Sequence, residues 1–420
     1  PSLFSSKLAP FLATVGSWVL LYLALRKMQG WLAALALTAL AVALPIPFDP
    51  LEFWVRPDPF LTLAASAGLW ASTCRKGWAP LWIGALIGFA VNLKLYAFAF
   101  FFVPVVVTWR VHKSPLSWGL AGLLAAGVMS LPFVYPNISL MDYVRILKMD
   151  SGAVLKDAYV AQYMQWWAVL GMIALAPLYV TRFMPGETSK FLRANIDVLG
   201  VLLLSFLLVL VPSSKDGANA HHLMPLVPSV VFVSAWLLRG LPGKPFLQRD
   251  FSTAGLSLAL SIVIFAEMFC VFFSAKKTTQ LASLDSLARR QIPDLVAIYK
   301  AHGPCILLNA ATPLEMLATD SFRAILVFNG MPIGIDPAAT EDYKALGHRE
   351  PNLPTFIDRL ESKDKLPVVW VCQRGMEPFS GMSLFTPYDK IYSDRFIDDF
   401  HRNFRRVGSS TYFDIYLRSK

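Results

Sequence analysis

The chain has 420 residues and a formal net charge of +10, with 55% of residues hydrophobic and 16% charged; its mean hydropathy is +0.51. A soluble domain carries about a quarter charged residues, so these figures exclude an ordinary soluble globular protein. The excess of lysine and arginine matches the bias of loops that face the cytosol. No basic tract interleaved with aromatics forms a nucleic-acid surface, and no nucleic-acid partner is expected.

Taken in chain order, the apolar runs predict about ten membrane-spanning helices, at residues 8–25, 31–46, 59–74, 80–93, 95–109, 116–135, 165–181, 196–212, 223–238 and 253–275. Several are shorter than the ~20 residues that cross a hydrocarbon core of roughly 30 Å. The stretch around Asn92 and Lys94 reads as one broken helix or as two short ones. Arg26-Lys27, Arg75-Lys76, Arg110 with Lys113, Arg182 to Arg193 and Arg239 to Arg249 mark one set of loops as cytoplasmic. Asp49, Glu52, Asp58, Asp142, Asp150, Asp157 and Asp216 mark the other set as extracytoplasmic. Glu267 lies within the last span, where a bare carboxylate is costly, and reads as facing other helices or protonated.

Beyond residue 277 the pattern changes. Amphipathic helical stretches (Leu281 to Tyr299, Phe396 to Phe404) alternate with short apolar runs at 305–308, 324–328, 368–371 and 412–416, which argues for a small α/β domain. The expected fold class is a polytopic α-helical membrane protein of about ten spans, residues 1–277, with a C-terminal extracytoplasmic α/β domain, residues 278–420. Cys305 and Cys372 fall on strands of that domain; they read as a disulfide in an oxidising compartment or as two buried thiols.

Ionisable groups at membrane depth are rare and usually mark a substrate or ion path. Four clusters stand out at span ends on the acidic side. The first is Arg56 and Asp58, in the proline-kinked sextet Trp54-Val55-Arg56-Pro57-Asp58-Pro59. The second is Asn92, Lys94 and Tyr96. The third runs from Lys215 through Asn219 to His221 and His222, and the fourth is the loop 136–165 with Asp142, Arg145, Lys148 and Lys156. Lysine binds phosphate as a point charge and arginine as a fork, and a histidine donates to phosphate or moves a proton. Together they suit a phosphorylated lipid headgroup. Each has a structural reading beside the functional one. Arg56 pairs with Asp58 or snorkels, Lys94 snorkels, the loop charges form a solvated or lipid-headgroup face, and the histidines cap the next span or, being adjacent, diverge so that at most one is central. No Cys-x-x-Cys and no His pair at i, i+4 forms a metal signature. Gly84 and Gly88, four apart, read as helix packing rather than a nucleotide loop.

Arg56-Pro57-Asp58 before a span, the run Gly84-Ala-Leu-Ile-Gly-Phe-Ala-Val-Asn-Leu-Lys94 and the turn Lys215 to Pro225 together resemble bacterial members of the GT-C superfamily. These are integral-membrane glycosyltransferases akin to protein O-mannosyltransferases. The resemblance covers the spans to about residue 275, and the tail with Glu377-Pro378-Phe379 looks like the C-terminal domain some of these enzymes carry. It implies transfer of a sugar from a polyprenyl-phosphate sugar to a sugar or protein acceptor at the outer face of a bacterial inner membrane. Cations would hold the departing phosphate, and an aspartate of the first outer loop would act as base. By matching position, Arg56, Asp58, Lys94, Lys215 and one of His221 or His222 are the phosphate-side residues, with Asn92, Tyr96 and Asn219 toward the substrate. Many of the family use a divalent cation and others do not, and the sequence leaves that open.

The sequence departs from the family at its start. Only about fifty residues precede Arg56, and residues 1–25 contain no acidic side chain. The N-terminal spans and the catalytic aspartate are therefore expected to be missing from this chain. The alternative class is a transporter or flippase of a lipid-linked sugar, although no internal repeat supports it. A third is a membrane-anchored binding protein working through its outer domain, where Ser380, Asp399 and His401 have nothing to link them.

Overall fold

A computed structural model of the chain describes residues 3–45, 57–74, 76–136, 138–144, 157–181, 188–214, 220–240, 290–302, 305–307, 340, 352–353, 355, 357–358, 368–382 and 390–419. These form two compact units, one of Ser6–Lys148 and Leu155–Ala275, the other mainly of Lys276–Lys420. The long apolar runs of the first unit become helices because a buried or lipid-facing backbone must satisfy its own hydrogen bonds. In order they are α1 (Leu3–Arg26), α2 (Trp31–Ala43), α3 (Asp58–Thr73), α4 (Ala79–Leu93), α5 (Phe102–Val111), α6 (Pro115–Ser130), α7 (Asp157–Thr181), α8 (Thr188–Ser213) and α9 (Val227–Gly240). Three 3-10 stretches, Leu95–Phe101, Leu131–Val134 and Ala220–Leu226, continue or introduce them.

Among the described residues, four stretches are long and apolar enough to cross a membrane: Leu8–Arg26, Pro115–Val134, Ser189–Ser213 and His221–Gly240. Trp31–Ala43, Ala79–Leu93, Leu95–Val111 and Tyr163–Leu178 are shorter apolar helices. The unit also carries apolar side chains outward: Leu116 and Leu123 on α6 and Ile196 on α8 are exposed. Contiguous apolar surface of this kind calls for lipid or a partner rather than water. The run expected as one helix over 95–109 is divided, a 3-10 stretch leading into α5. Three helices start several residues before their apolar runs, α1 at Leu3, α7 at Asp157 and α8 at Thr188, because a helix continues past the apolar window into sequence that still tolerates it. The span expected at 253–275, with Glu267, lies outside the described residues.

Helix α3 is the centre of this unit. Twelve of its sixteen residues are buried, and most of those are alanine, serine, threonine or glycine, which lets α4, α5, α9 and the 3-10 stretches Leu95–Phe101 and Ala220–Leu226 pack closely around it. The Gly84-x-x-x-Gly88 face of α4 meets α6 still more tightly. A Cβ on Gly84 would lie 2.3 Å from the Ala121 carbonyl oxygen, and one on Gly88 would lie 2.4 Å from that of Ala125. One helical turn further, Asn92 Nδ2 donates to the Val128 carbonyl at 2.8 Å, so positions 84, 88 and 92 form a single seam. Elsewhere side chains serve backbone groups: Ser205 Oγ donates to Ala99 O at 2.7 Å, within a 3-10 stretch, and Tyr163 Oη donates to Phe206 O at 2.6 Å.

The second unit is a small α/β fold. Strands β1 (Cys305–Leu307), β2 (Val369–Gln373), β3 (Phe404–Ser409) and β4 (Phe413–Arg418) make a sheet in the order β1-β2-β4-β3, parallel at β1–β2 and antiparallel elsewhere. Because side chains alternate along β2, Trp370 and Cys372 join one cluster with Phe396 and Phe400 of helix α11 (Asp394–Asn403). Val369 and Val371 join the opposite cluster with Leu295 and Ile298 of helix α10 (residues 290–302). Strand β3 was not foreseen: its arginines and exposed residues conceal it in the sequence, and charge on a strand at the end of a sheet discourages further pairing. The apolar run expected at 324–328 lies outside the described residues. At the middle of the first cluster Phe379 packs edge-on against Trp370, Tyr392, Phe396 and Phe400 with a backbone φ of 58°, a left-handed conformation that costs a bulky residue on the order of 1–3 kcal/mol.

The disulfide between Cys305 and Cys372 does not form. Cys305 pairs in register with Val369, three residues or ~10 Å along the strand from Cys372, and Cys372 is a free, buried thiol. Burial, and then the charges of Asp414 and Glu377, push its pKa up to about 12.

Two predictions follow from this packing. Gly84→Ala lowers the thermal midpoint of the detergent-purified protein, as an overpacking of about 1–3 kcal/mol requires. Gly122→Ala, which meets nothing within 4 Å, leaves it unchanged or raises it. For Cys372 the folded pKa lies above the free value of ~8.5, so its contribution to stability is complete below that pH and is lost as pH rises toward the folded value. Near-ultraviolet dichroism of the second unit should therefore show stability declining above about pH 9, and Cys372→Ser should flatten that decline.

Candidate functional site

The local sequence explains why a carboxylate sits at the head of the central helix. Pro57 and Pro59 flank Asp58 in the first turn of α3, where their missing N–H groups cost nothing because those donors would have no partner inside the helix. Asp58 is 1% exposed, and a negative group at this end is favoured by the helix dipole.

Its counter-ion arrives from α4. That helix ends at Leu93, and Lys94 takes an extended conformation (φ −149°, ψ 125°) before the 3-10 stretch begins. The break carries the lysine to the aspartate: Lys94 Nζ donates to Asp58 Oδ1 at 2.6 Å, with the lysine side chain only 15% exposed. Lys94 therefore does not snorkel outward; it is one half of a buried ion pair.

The third contributor is the 3-10 stretch Ala220–Leu226 ahead of α9. Lys94 Nζ approaches His222 Nδ1 at 3.3 Å, and the Tyr96 hydroxyl hydrogen-bonds to the same nitrogen. An ammonium has donors only, so toward it Nδ1 acts as the acceptor, and a neutral His222 carries its proton on Nε2. The Tyr96 and His222 rings meet at 5.6 Å and 62°, and Lys94 Nζ stands 5.9 Å from the centre of the Tyr96 ring. The histidine rings do not diverge as adjacent residues of an α-helix would. They stack at 4.4 Å and 29°, with His221 buried beside His222, because this stretch is not α-helical.

Asp58, Lys94, Tyr96, His221 and His222 are thus brought together from three segments. Asn92 is instead committed to the α4–α6 seam through Val128. Arg56, Lys215 and Asn219 lie outside the described residues, as do Arg145, Lys148 and Lys156 of the fourth cluster. The two sequence readings of Arg56, an ion pair with Asp58 or snorkelling, fall on a residue outside the described ones, and Oδ1 of that carboxylate accepts from Lys94, thirty-six positions away. The other oxygen, Oδ2, is buried and has no hydrogen-bond partner among the described residues.

Chemically the cluster is a cation and three rings beside a buried carboxylate. Its ammonium opposes a second positive charge, so these residues suit an anion better than a divalent metal. Among the described residues no three His, Cys, Asp or Glu side chains gather as a metal-ligand group. In the second unit, Ser380 Oγ donates to the Glu377 carbonyl and His401 Nε2 meets the Glu377 carboxylate at 2.8 Å. Ser380 and His401 are both occupied with Glu377, and neither arrangement is that of a nucleophile and its base.

Removing one half of a buried ion pair costs about 3–5 kcal/mol, because the other charge stays buried alone. Lys94→Met is therefore expected to lower the denaturation midpoint strongly, and Asp58→Asn combined with Lys94→Met to recover most of that loss. Additive single effects in the double variant would disprove the coupling.

No protein-family model matches the sequence, and no curated protein matches it. Among solved structures, the crystal structure of ArnT from Cupriavidus metallidurans in the apo state aligns over 98% of this chain and 83% of that one, at 12% identity and a TM-score of 0.46.

Proposed function

We propose that this chain belongs to a GT-C-type membrane glycosyltransferase. It would move a sugar from a polyprenyl-phosphate-sugar donor to a sugar or protein acceptor at the outer face of the membrane, with the donor phosphate held at the Asp58–Lys94–His222 cluster. The observation that carries the reading is that Lys94 meets a buried carboxylate and, beside it, His222, which in turn meets Tyr96 and stacks on His221. Three segments make this investment at one end of an apolar bundle, where an unrewarded charge is costly. The exposed apolar faces of α6 and α8 give a polyprenyl chain a surface to lie on. The motifs from Arg56 to Asp58, Gly84 to Lys94 and Lys215 to Pro225 point the same way by resemblance.

In this reading the acceptor attacks the anomeric carbon as the bond from that carbon to the phosphate oxygen breaks. Both electrons of that bond leave with the polyprenyl phosphate, whose negative charge grows in the transition state. Lys94 Nζ, held in place by Asp58, and the Nε2–H of His222 are donors for that charge, and fixed donors in a dry site stabilise such a change more than water does. Tyr96 orients the His222 ring through Nδ1. These residues act on the leaving group; the acceptor hydroxyl would give its proton to a carboxylate base of the kind the resemblance implies, which is none of these residues.

The test is transfer of a radiolabelled sugar from a polyprenyl-phosphate donor by the protein in vesicles, counted per folded molecule. His222→Gln and Lys94→Met should each lower transfer by about a hundredfold, the usual effect of losing one transition-state donor. Label that crosses the bilayer while no glycosidic product forms would overturn the transferase and support a transporter of the lipid-linked sugar.

A further inference from the structure

The other end of the same helices holds a second charged site. Residues 72 and 73 at the end of α3, Arg110 at the end of α5 and Arg239 at the end of α9 line one cavity of about 720 Å³, with Lys27 and Lys190. The segments that begin at Asp58, Leu95 and Ala220, close to Asp58, Tyr96 and His222, are the ones that end here, so cavity and cluster lie at opposite ends of the unit. For the sixteen residues of α3 that separation is ~24 Å at the α-helical rise.

The wall of this cavity is fixed in place. Arg110 Nε donates to Asp197 Oδ2 at 3.0 Å, its Nη2 donates to Ala194 O at 2.8 Å, and its guanidinium stands 5.5 Å from the Trp236 ring centre. Trp236 Nε1 in turn donates to Asn195 Oδ1 at 3.0 Å, and Asn195, 7% exposed, donates to Phe191 O. Lys27 Nζ lies 2.9 Å from Cys74 Sγ and 5.4 Å from the Trp70 ring. Four cations therefore line the cavity, and the carboxylate that meets Arg110 also accepts from Val198 N. The surface beside the cavity is apolar: Val111 on its rim and Trp109, Leu192 and Ile196 next to it are exposed. Tryptophans at this level, with Trp78 also exposed, are the residues of a membrane interface.

A cationic cavity opening onto an apolar flank fits a charged head with acyl chains attached. We infer that this cavity binds the phosphate of an anionic membrane phospholipid from the leaflet at that end. The inference rests on the membrane reading of the helices and is independent of the sugar chemistry proposed for the opposite end.

The experiment is native mass spectrometry of the delipidated full chain titrated with phosphatidylglycerol or phosphatidylcholine. The wild type should retain phosphatidylglycerol in preference to phosphatidylcholine. Because each cation beside an anionic headgroup is worth on the order of a fivefold change in affinity, Lys27→Gln combined with Arg239→Gln should weaken phosphatidylglycerol binding by about twenty-five-fold. Lys113→Gln, off the cavity, should leave binding unchanged. Equal retention of the two lipids, or equal loss with Lys113→Gln, overturns the proposal. Displacement of the lipid by glycerol phosphate as readily as by short-chain phosphatidylglycerol overturns the lipid assignment in favour of a soluble phosphate. Should the double variant fail to fold, the comparison of the two lipids on the wild type decides alone.

Discussion

The helical unit is arranged around one electrostatic constraint, the burial of Asp58 with Lys94 as its counter-ion. A charge in a low-dielectric interior persists only when it is paired and hydrogen-bonded, and meeting that condition shapes the neighbourhood. It explains why α4 stops at Leu93, since an unbroken helix would carry position 94 further around its axis. It also explains why short 3-10 stretches, poor in hydrogen-bond geometry and usually brief, are found at Leu95–Phe101 and Ala220–Leu226. The first supplies Tyr96 and the second the stacked histidines, of which His222 meets both Lys94 and Tyr96.

Such breaks expose backbone groups that an apolar bundle must satisfy by other means. Ser205 reaches Ala99 across the unit and Asn92 reaches Val128, so Asn92, a site candidate in the sequence, serves with Ser205 as a strut. The small residues of α3 and the glycines of α4 have a related role. In a bundle flanked by lipid there is little hydrophobic gain in bringing helices together, so close contact itself supplies the attraction. Tight seams and satisfied carbonyls together give the rigid frame on which a charged cluster can be held.

Much of the helix layout could be read from apolar periodicity, as α3 shows: its run was foreseen at 59–74 and the helix is Asp58–Thr73. The sheet strands β1, β2 and β4 were equally visible as apolar runs. Strand β3 was not, because Arg405 and Arg406 interrupt the apolar pattern and its pairing with β4 is a tertiary fact. Of the site, the individual polar residues were legible because each stands out against an apolar background. Their partners were not. Nothing in one dimension indicates that Lys94 meets Asp58, that Tyr96 and Lys94 share the same imidazole nitrogen, or that Asn92, two residues from Lys94, faces a different helix. The basic cavity was missed for a different reason: Lys27, Arg110, Lys190 and Arg239 are ordinary loop-flanking cations in the sequence, and only the folding of four separate helix ends gathers them.

Phe379 links the architecture of the second unit to its tolerance of change. Its ring fills the middle of an aromatic cluster while its main chain occupies a region that favours glycine. The two demands oppose each other. Glycine would relax the backbone and hollow out the cluster, and any side chain large enough to fill that space inherits the twist. The position is therefore a compromise that no residue type resolves, and a ring of similar size is the replacement that disturbs it least.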